Sequence, residues 1–330
     1  AHGVLRGNRV GVISPNSDAY VLLFFALARL AAIMVPVDPD FGADEAGYIL
    51  RHAEVCAIAT TTQKLAMARE AAIDLPIAPW LVLLDGAAQD VLTLEALLKP
   101  TSEPAPPEDT KADEVCLIMY TSGTTGFPKG VMHSQRNFVL AGEGFVERMH
   151  LQPEDRLLCV LPLFHINALF YSLGGAVAAG ATLVLAPRFS ASGFWALVAE
   201  SRATEVNIIA AIGNILARRP RPEFIAAHRL HKVYGAPVPQ AIVDVFQNEF
   251  GVPTIIEGYG MTEVPGVCNL PFEGPHRIGS MGTAALHPDR RFRFAELKVV
   301  DDAGDDVATG DVGELLVRTP IVMKGYYKDA

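Results

Sequence analysis

The stretch that decides the fold is Tyr120-Thr-Ser-Gly-Thr-Thr-Gly-Phe-Pro-Lys-Gly130, which directly follows the apolar run Val115–Met119. An apolar run that leads into glycine-rich chain predicts a buried strand that ends in a loop. A polyphosphate binds where backbone N–H groups, hydroxyls and an ammonium group converge, and this loop combines glycines, serine and threonine hydroxyls and one lysine. The stretch therefore predicts a phosphate-binding loop. A mobile linker is disfavoured, because linkers rarely follow a buried strand.

The spacing of this loop does not match the Walker A motif of P-loop kinases and NTPases. Counted from Gly123, that motif requires Gly, Lys and Ser or Thr at its end. The chain has Pro128, Lys129 and Gly130 there, and three further residues precede Ser134, the predicted N-cap of the next helix. No hydroxyl follows the lysine to hold a metal ion. A magnesium ligand must therefore come from elsewhere in the chain.

A second segment, Glu257-Gly-Tyr-Gly-Met-Thr-Glu263, supplies such a ligand. It follows an apolar run and is expected to leave the carboxyl end of a strand, where open α/β sheets bind ligands. Tyr259 offers a flat face to a base, and the glycines beside it let the backbone approach a ligand closely. Thr262 offers a hydroxyl to a phosphate, and Glu263 offers the hard carboxylate that Mg²⁺ prefers. In isolation, Thr262-Glu263 is also typical of a helix N-terminus.

Composition bounds the class of protein. The chain has 330 residues, is 50% apolar and carries a net charge of -10. This is enough for more than one domain, and the negative charge argues against nucleic-acid binding. The four cysteines are far apart, so we expect buried free thiols in a reducing compartment, a cytoplasmic location and no zinc site. The uncharged stretch 164–187 predicts a buried helix, a glycine break and a strand rather than a membrane span.

Strands alternate with helices along most of the chain, which predicts parallel sheets covered on both faces. Strands are predicted at 9–14, 33–37 and 55–59. The strand pattern at 31–37, the helix around Tyr48 and the strand pattern at 54–59 return in similar form at 180–186, 192–201 and 205–210. The predicted organisation is a first αβ subdomain over residues 1–98, a connector rich in proline and acidic residues over 99–113, a second αβ subdomain over 114–290 that carries both loops, and a small antiparallel β subdomain over 291–330.

The two loops together resemble the signatures of the adenylate-forming, or AMP-binding, superfamily, which includes acyl-CoA synthetases, adenylation domains of peptide synthetases and luciferases. The resemblance extends over nearly the whole chain. It implies the N-terminal large domain of an acyl-CoA synthetase: an α/β fold with two similar layered subdomains and a small β subdomain. It also implies a ribose-binding aspartate and a C-terminal domain with a catalytic lysine, both outside residues 1–330. We therefore expect residues 1–330 alone to fold but to be a poor catalyst.

By this resemblance, Tyr259 stacks on adenine, Thr262 contacts the α-phosphate and Glu263 binds magnesium. Together with Lys129, Thr262 and Glu263 are the implied catalytic residues. The implied ATP- or AMP-binding residues are Thr121, Ser122, Gly123, Thr124, Thr125, Gly126, Lys129, Gly235, Ala236, Pro237, Glu257, Gly258, Tyr259 and Thr262.

The implied reaction joins a carboxylic acid to coenzyme A. The carboxylate attacks the α-phosphorus of Mg·ATP and releases pyrophosphate, and a thiol then displaces AMP. The substrate pocket implied by the resemblance comprises His165, Asn167, Ala211, Gly213, Gly235, Gly260 and Val264. His165 is interpreted as a wall or gate, since a carboxylate is already ionised at neutral pH and needs no general base.

The substrate, the acceptor and the assembly stay open at this point. The implied pocket contains no acidic residue that would pair with an amino-acid ammonium group, which favours a simple carboxylic acid. A hydroxylated or betaine-like acid is also compatible, since Asn167 and His165 offer hydrogen bonds. Two alternatives to an acyl-CoA synthetase remain: an adenylation domain that loads a carrier protein, and a nucleotide-binding module without catalysis. The oligomeric state is also undecided, and a homodimer is one alternative.

Overall fold

The computed structural model describes residues 3–99, 109–121, 126–277 and 279–329. The chain divides into two compact units. The first consists of Ala1–Arg136, Pro162–His165 and Met323–Ala330, and the second of Asn137–Leu161 and Ile166–Val322.

The strands of the described residues are β1 (Arg9–Ile13), β2 (Ile33–Val37), β3 (Ala57–Thr60), β4 (Trp80–Leu83), β5 (Leu92–Thr93), β6 (Val115–Thr121), β7 (Lys129–Ser134), β8 (Arg156–Cys159), β9 (Thr182–Leu185), β10 (Glu205–Ile208), β11 (Lys232–Gly235), β12 (Thr254–Met261), β13 (Val264–Asn269), β14 (Thr283–Ala284), β15 (Glu296–Val300) and β16 (Glu314–Arg318). The α-helices are α1 (Asp18–Arg29), α2 (Ala43–His52), α3 (Leu65–Ala71), α4 (Leu94–Leu97), α5 (Gln135–Met149), α6 (Gly174–Ala179), α7 (Phe194–Ser201), α8 (Ala210–Arg218) and α9 (Gln240–Asn248). A π-helical segment spans Asn167–Leu173, and short 3-10 turns span Thr62–Lys64 and Arg221–Glu223.

The first unit is built on a sheet of order β5-β4-β3-β1-β2-β6-β7. All neighbours pair in parallel except β6 and β7, which are antiparallel. The predicted strand at 33–37 agrees with β2 at both ends. Apolar side chains on the strands, such as Ile13 and Ile58, are fully buried, and Leu50 of α2 packs into the same core. The sheet is therefore mixed: the predicted parallel pairing is confirmed from β5 to β6, and β7 adds an antiparallel edge strand.

The second unit is built on a sheet of order β14-β13-β12-β11-β10-β8-β9. From β9 to β12 the neighbours are parallel, and from β12 to β14 they are antiparallel. The same unit contains the hairpin β15–β16, which confirms the antiparallel β subdomain predicted near the end of the chain. The α/β fold with two layered parts and a small β part is thus confirmed.

Strand pairing differs from the predicted subdomains at one point. The predicted boundary at residue 114 assigns the phosphate loop to the second αβ subdomain. Instead, β6 pairs with β2 through Met34 and Leu117, so the strands that flank the loop complete the first sheet. Sequence patterns indicate that a strand follows the connector, but they do not specify the sheet edge it joins. The other predicted boundaries stay a prediction.

The predicted order of helix, glycine break and strand over 164–187 is confirmed, with the break at Gly180 and not at the glycine pair 174–175. The chain remains helical from the π-helical segment through α6 and ends at Gly180, whose φ of 66° lies in the left-handed region. A Cβ at Gly142 would lie 2.6 Å from the carbonyl oxygen of Gly174. The glycines therefore allow α5 and α6 to approach closely. No helix in the described part is long and apolar enough to cross a membrane.

The cysteines agree with the prediction of free thiols. Cys116, Cys159 and Cys268 are buried, Cys56 is half-buried, and all four are free. Burial raises the pKa of the Cys116 and Cys159 thiols to about 12. These thiols therefore stay protonated at neutral pH, as expected of core cysteines.

Three ionisable side chains meet at the starts of β8, β10 and β11. Lys232 Nζ lies 2.7 Å from Asp155 Oδ2, and both side chains are less than 10% exposed. Glu205 beside them is fully buried, and neither carboxyl oxygen has a hydrogen-bond partner among the described residues. Burial and the Asp155 charge raise the pKa of Glu205 well above its ordinary value, although Lys232 opposes this. Glu205 therefore keeps its proton to a higher pH than an exposed glutamate does.

We expect Glu205→Gln to change the pH dependence of folding stability. The folded state keeps the Glu205 proton, whereas the unfolded chain loses it above its ordinary pKa of 4.5. The stability linked to this proton is complete below the unfolded pKa and is lost as the pH rises toward the folded pKa. Glutamine has no such proton. The free energy of unfolding of the variant should therefore rise relative to that of the wild type by roughly 1 kcal/mol per pH unit between the two pKa values.

Urea unfolding between about pH 5 and pH 9 measures this gain. Glu200→Gln, at an exposed position of α7, is the matched control and should follow the wild type at every pH. Parallel pH profiles for Glu205→Gln and the wild type would show that the buried carboxyl is ionised in the folded state.

Candidate functional site

In the first unit, the predicted phosphate loop connects the antiparallel strands β6 and β7. Thr121 and Lys129 are directly paired across the hairpin, so the two ends of the loop lie side by side at the carboxyl end of β6. Gly126 has a φ of 104°, a conformation that favours glycine. The remaining loop residues of the prediction, Ser122, Gly123, Thr124 and Thr125, lie outside the described residues.

The Lys129 ammonium group has two contacts within the first unit. Its Nζ lies 2.9 Å from Asp329 Oδ2 and 4.9 Å from the centroid of the Tyr326 ring. The Lys129 side chain is 38% exposed, so its charge remains accessible to solvent. The contacts of Asp329 and Tyr326 with Lys129 were not predictable from the sequence, because no local signal links residues about 200 positions apart. An incoming phosphate would compete with the Asp329 carboxylate for this ammonium group.

The segment that carries Asp329 pairs with β7 along its backbone. Tyr327 N donates to Gly130 O at 2.7 Å, and Lys324 N donates to Met132 O at 2.8 Å. Lys328 Nζ contacts Glu54 Oε1 at 2.9 Å. Contacts inside the first unit therefore anchor the segment both to β7 and to Glu54.

Aromatic side chains attach both ends of the phosphate loop to α2. Tyr120, at the end of β6, places its hydroxyl 2.7 Å from His52 Nδ1. Phe127, just before β7, stacks on Tyr48 with a centroid distance of 5.3 Å. Burial raises the pKa of Tyr120 and lowers that of His52, so this contact joins two neutral groups at neutral pH. Contacts with α2 therefore hold the residues at both ends of the loop.

In the second unit, the segment 257–263 belongs to a tight β-hairpin. β12 continues through Met261, and Met261 pairs with Val264 of β13. The expectation that the chain leaves its strand at residue 256 is therefore wrong, because pairing with β13 extends the strand. Thr262 and Glu263 form the two-residue turn, which excludes the helix N-terminus. Tyr259 is 36% exposed, so part of its ring is available for stacking.

The glycines of this segment are required by packing inside the chain itself. A Cβ at Gly258 would lie 2.4 Å from the Tyr234 hydroxyl. A Cβ at Gly260 would lie 2.7 Å from the backbone nitrogen of Gly266. From the sequence, both glycines were interpreted as positions where the backbone approaches a ligand closely. In the structure, other parts of the same unit already occupy the space behind them.

The two predicted adenine-side segments are neighbours in the second sheet. Gly235, at the end of β11, is paired in parallel register with Glu257 of β12. Ala236 and Pro237 follow directly and are joined by a cis peptide bond. Register therefore brings the segment 235–237 beside the hairpin that carries Tyr259.

The residues of the implied substrate pocket fall into separate groups. Gly213 and Gly235 both border the side chain of Ile208, and Gly260 lies against Val264. Ala211 is exposed on α8. The last two members are His165, which belongs to the first unit, and Asn167, which opens the π-helical segment of the second unit.

His165 follows a segment held by Asn16, whose Oδ1 accepts a hydrogen bond from Leu163 N at 2.7 Å. Surrounding protein desolvates the imidazole and lowers the pKa of His165, although the side chain is exposed and Asp38 opposes the shift. A neutral imidazole at neutral pH is consistent with a wall residue. The proposed roles of all these residues toward a substrate stay predictions.

Asn207 is a polar residue that the sequence analysis did not select. It is 1% exposed, and its Nδ2 donates to Asn167 Oδ1 at 2.7 Å and to Ser172 Oγ at 3.0 Å. The signal was available in the sequence, since Asn207 interrupts an apolar strand next to a predicted ligand segment. Asn207 fixes the orientation of the Asn167 amide, because a donated hydrogen bond selects its oxygen.

The residues present fit magnesium that arrives with a nucleotide. Among the described residues there is no group of three or more His, Cys, Asp and Glu side chains that could hold a metal ion. Magnesium in nucleotide sites is usually held by one or two carboxylates together with substrate phosphates. Glu263, half-buried in the hairpin turn, supplies one such carboxylate.

Comparison with known proteins identifies relatives over nearly the whole chain. A family model of AMP-binding enzymes matches residues 1–327. The sulfoacetate–CoA ligase of Cupriavidus necator is 32% identical over 334 residues, covering 99% of this chain and 62% of that protein. The indoleacetate–CoA ligase of Aromatoleum aromaticum is 30% identical over 337 residues, covering 100% of this chain and 64% of that protein. The chain thus spans less than two thirds of the length of these relatives.

Two solved structures share this fold. The anthranilate CoA ligase AuaEII in complex with anthranoyl-AMP matches with a TM-score of 0.89 and 25% identity, covering 99% of this chain and 63% of that one. ATP-bound MatB from Rhodopseudomonas palustris matches with a TM-score of 0.84 and 25% identity, with the same coverage of 99% and 63%. An adenylate and ATP are therefore bound by proteins of this architecture.

Proposed function

Because the chain belongs to the family of AMP-binding enzymes, we propose that the full-length protein is an ATP-dependent carboxylic acid–CoA ligase. The observation that carries the proposal is the β12–β13 hairpin. It presents a partly exposed tyrosine face and, in its turn, one hydroxyl and one carboxylate, directly beside the segment 235–237. The relatives' names, sulfoacetate–CoA ligase and indoleacetate–CoA ligase, support the reaction class.

The proposed reaction has two steps. In the first, a carboxylate oxygen forms a bond to the α-phosphorus of ATP, and the bond from that phosphorus to pyrophosphate breaks. In the second, the thiol sulfur of coenzyme A forms a bond to the acyl carbon, and the bond from that carbon to the phosphate oxygen of AMP breaks. AMP leaves as the anion, and the thiol proton passes to solvent. The first step brings two anions together, so it requires positioned positive charge and hydrogen-bond donors.

The residues of the phosphate loop and of the β12–β13 hairpin each have a role in this proposal. Lys129 binds phosphate oxygens after exchanging its contact with Asp329, and the loop hydroxyls donate to the same phosphates. Tyr259 stacks on the adenine ring, and Thr262 donates its hydroxyl to the α-phosphate. Glu263 would hold magnesium, which when bound neutralises phosphate charge. We further propose a cytoplasmic location, where ATP, CoA and reduced thiols coexist.

The substrate is proposed only as a class, a carboxylic acid without an amino-acid ammonium group. Asn167, held by Asn207, offers an amide to a polar group on the acid. The two named relatives differ in their acids, sulfoacetate and indoleacetate, at nearly equal identity. Sequence likeness therefore does not select one acid.

A carboxylic-acid panel on the full-length protein tests this proposal. We expect AMP release to depend on one class of acid, on ATP with magnesium and on CoA, with a thioester as product. The measurements are AMP formation and thioester detection with each acid, with and without CoA. Acyl transfer only to a phosphopantetheine carrier protein would favour the carrier-loading alternative. ATP binding without any acid-dependent AMP formation would contradict catalysis and favour a nucleotide-binding module.

A further inference from the structure

The second unit contains a buried arginine surrounded by aromatic rings. Arg148, in the last turn of α5, is 4% exposed. Its guanidinium carbon lies 5.8, 5.1 and 5.2 Å from the ring centroids of Phe145, Tyr171 and Tyr234. Its Nη1 is 3.3 Å from the Tyr234 hydroxyl, and its Nε is 3.3 Å from Asn269 Oδ1. We call these five residues the Arg148 cage.

The cage stabilises a buried charge through neutral groups. Within the described part of the chain, no carboxylate forms an ion pair with Arg148. A buried cation is costly unless its donors are satisfied. Here hydroxyl and amide oxygens accept its N–H groups, and three ring faces contribute cation–π attraction. Each of these partners must therefore keep a defined position, since no ion pair would compensate Arg148 for the loss of a displaced partner.

The cage contacts both strands of the β12–β13 hairpin. On β13, Gly266 has a φ of 72°, and a Cβ there would lie 2.3 Å from Arg148 Nη2. On β12, the space beside Gly258 is occupied by the Tyr234 hydroxyl that Arg148 contacts. Gly258 directly precedes Tyr259. The guanidinium and the Tyr234 hydroxyl thus lie beneath the backbone that carries the proposed adenine platform.

We propose that Arg148 and Tyr234 are positioning residues for the nucleotide-binding hairpin. They set the position of the Gly258–Tyr259 backbone and thereby of the Tyr259 ring relative to the segment 235–237. This inference rests on the proposed function, in which Tyr259 stacks on adenine. Neither residue contacts the reacting atoms, because both are buried behind the hairpin. Their loss should weaken binding of the adenine part of a nucleotide and leave binding of the phosphate part intact.

Tyr234→Phe is the sharpest test, because it removes only the hydroxyl and retains the ring of the cage. In the full-length protein, we expect the Kd for a mant-labelled AMP to rise about 10-fold, the effect of one lost hydrogen bond to a charged group. The Kd for inorganic pyrophosphate should stay within about twofold, since that ligand lacks a base. Arg148→Lys should likewise raise the Kd for mant-AMP and leave that for pyrophosphate unchanged. Lysine keeps the charge but cannot contact both the Tyr234 hydroxyl and Asn269 Oδ1.

Tyr20→Phe is the matched control. Tyr20 is fully buried in the first unit, and its hydroxyl has no hydrogen-bond partner among the described residues. Its loss should leave both dissociation constants unchanged. Equal weakening of mant-AMP and pyrophosphate by Tyr234→Phe, or no weakening of either, would overturn the positioning role. A wild-type protein that binds neither ligand would instead overturn the proposed function itself, and with it this inference.

Discussion

Glu263→Ala in the full-length protein is expected to lower magnesium-dependent adenylation by about 10²–10³-fold, the range seen when one group that stabilises transition-state charge is removed. The described part of the chain offers no multi-residue metal cluster that could replace this carboxylate. The folded domain should persist, because Glu263 lies in a two-residue turn and not in the core. ATP–pyrophosphate exchange at increasing magnesium concentration is the measurement.

Two observations make this test specific to the metal. Binding of AMP, which needs no magnesium, should be close to that of the wild type, and the melting temperature should be unchanged. Glu273→Ala, at an exposed position of the same unit, is the matched control and should retain full exchange. Undiminished exchange in Glu263→Ala would refute the assignment of Glu263 as the magnesium ligand.

Lys232→Met is expected to destabilise the folded protein by about 3–5 kcal/mol, the range for breaking a buried ion pair by removing one partner. Lys232 Nζ donates to Asp155 Oδ2 at 2.7 Å and to His150 O at 3.0 Å. Without the ammonium group, the Asp155 carboxylate stays buried beside Glu205 with no cation to compensate it. Hydrogen bonds from Lys232, Gln152 and Thr204 now hold the pKa of Asp155 below its ordinary value, although desolvation opposes them.

Urea unfolding at neutral pH measures this loss. Arg291→Met breaks an ion pair with Asp289 whose arginine is almost fully exposed, and should produce no measurable change. The double variant Lys232→Met/Asp155→Leu should recover part of the stability, because it removes the uncompensated charge. A loss below about 1 kcal/mol for Lys232→Met would indicate that water reaches Asp155 in the folded state.

Much of the fold was predictable because it depends on local patterns. The strand at 33–37 was predicted at both ends, since its apolar run is bounded by clear helix and turn signals. Ser17 precedes α1, and its Oγ accepts a hydrogen bond from Tyr20 N at 3.1 Å, a cap that is typical of serine at this position. The hairpin β15–β16 was likewise predicted from alternation of apolar and polar residues. Each of these features involves neighbours within one or two elements.

Other features were not predictable, since they depend on partners far away in the chain. The pairing of β6 with β2 joins Leu117 to Met34, and no local signal selects that edge. Extension of β12 through Met261 likewise requires β13 as a partner. At Gly174, helix-breaking propensity was outweighed by close packing against Gly142. In each case tertiary contacts decided between conformations that the local sequence allows.

The sequence by itself determined the chemistry that this protein can present: a lysine and hydroxyls in one loop, and a tyrosine, a threonine and a carboxylate in another. Residue types and short spacings are enough for that, because residue identity alone fixes which functional groups a loop contains. Only the tertiary structure decided that Asp329 contacts Lys129, that Asp155 and Lys232 meet beside Glu205, and that Arg148 lies beneath the hairpin. These contacts join residues about 80 to 200 positions apart, which only packing brings together.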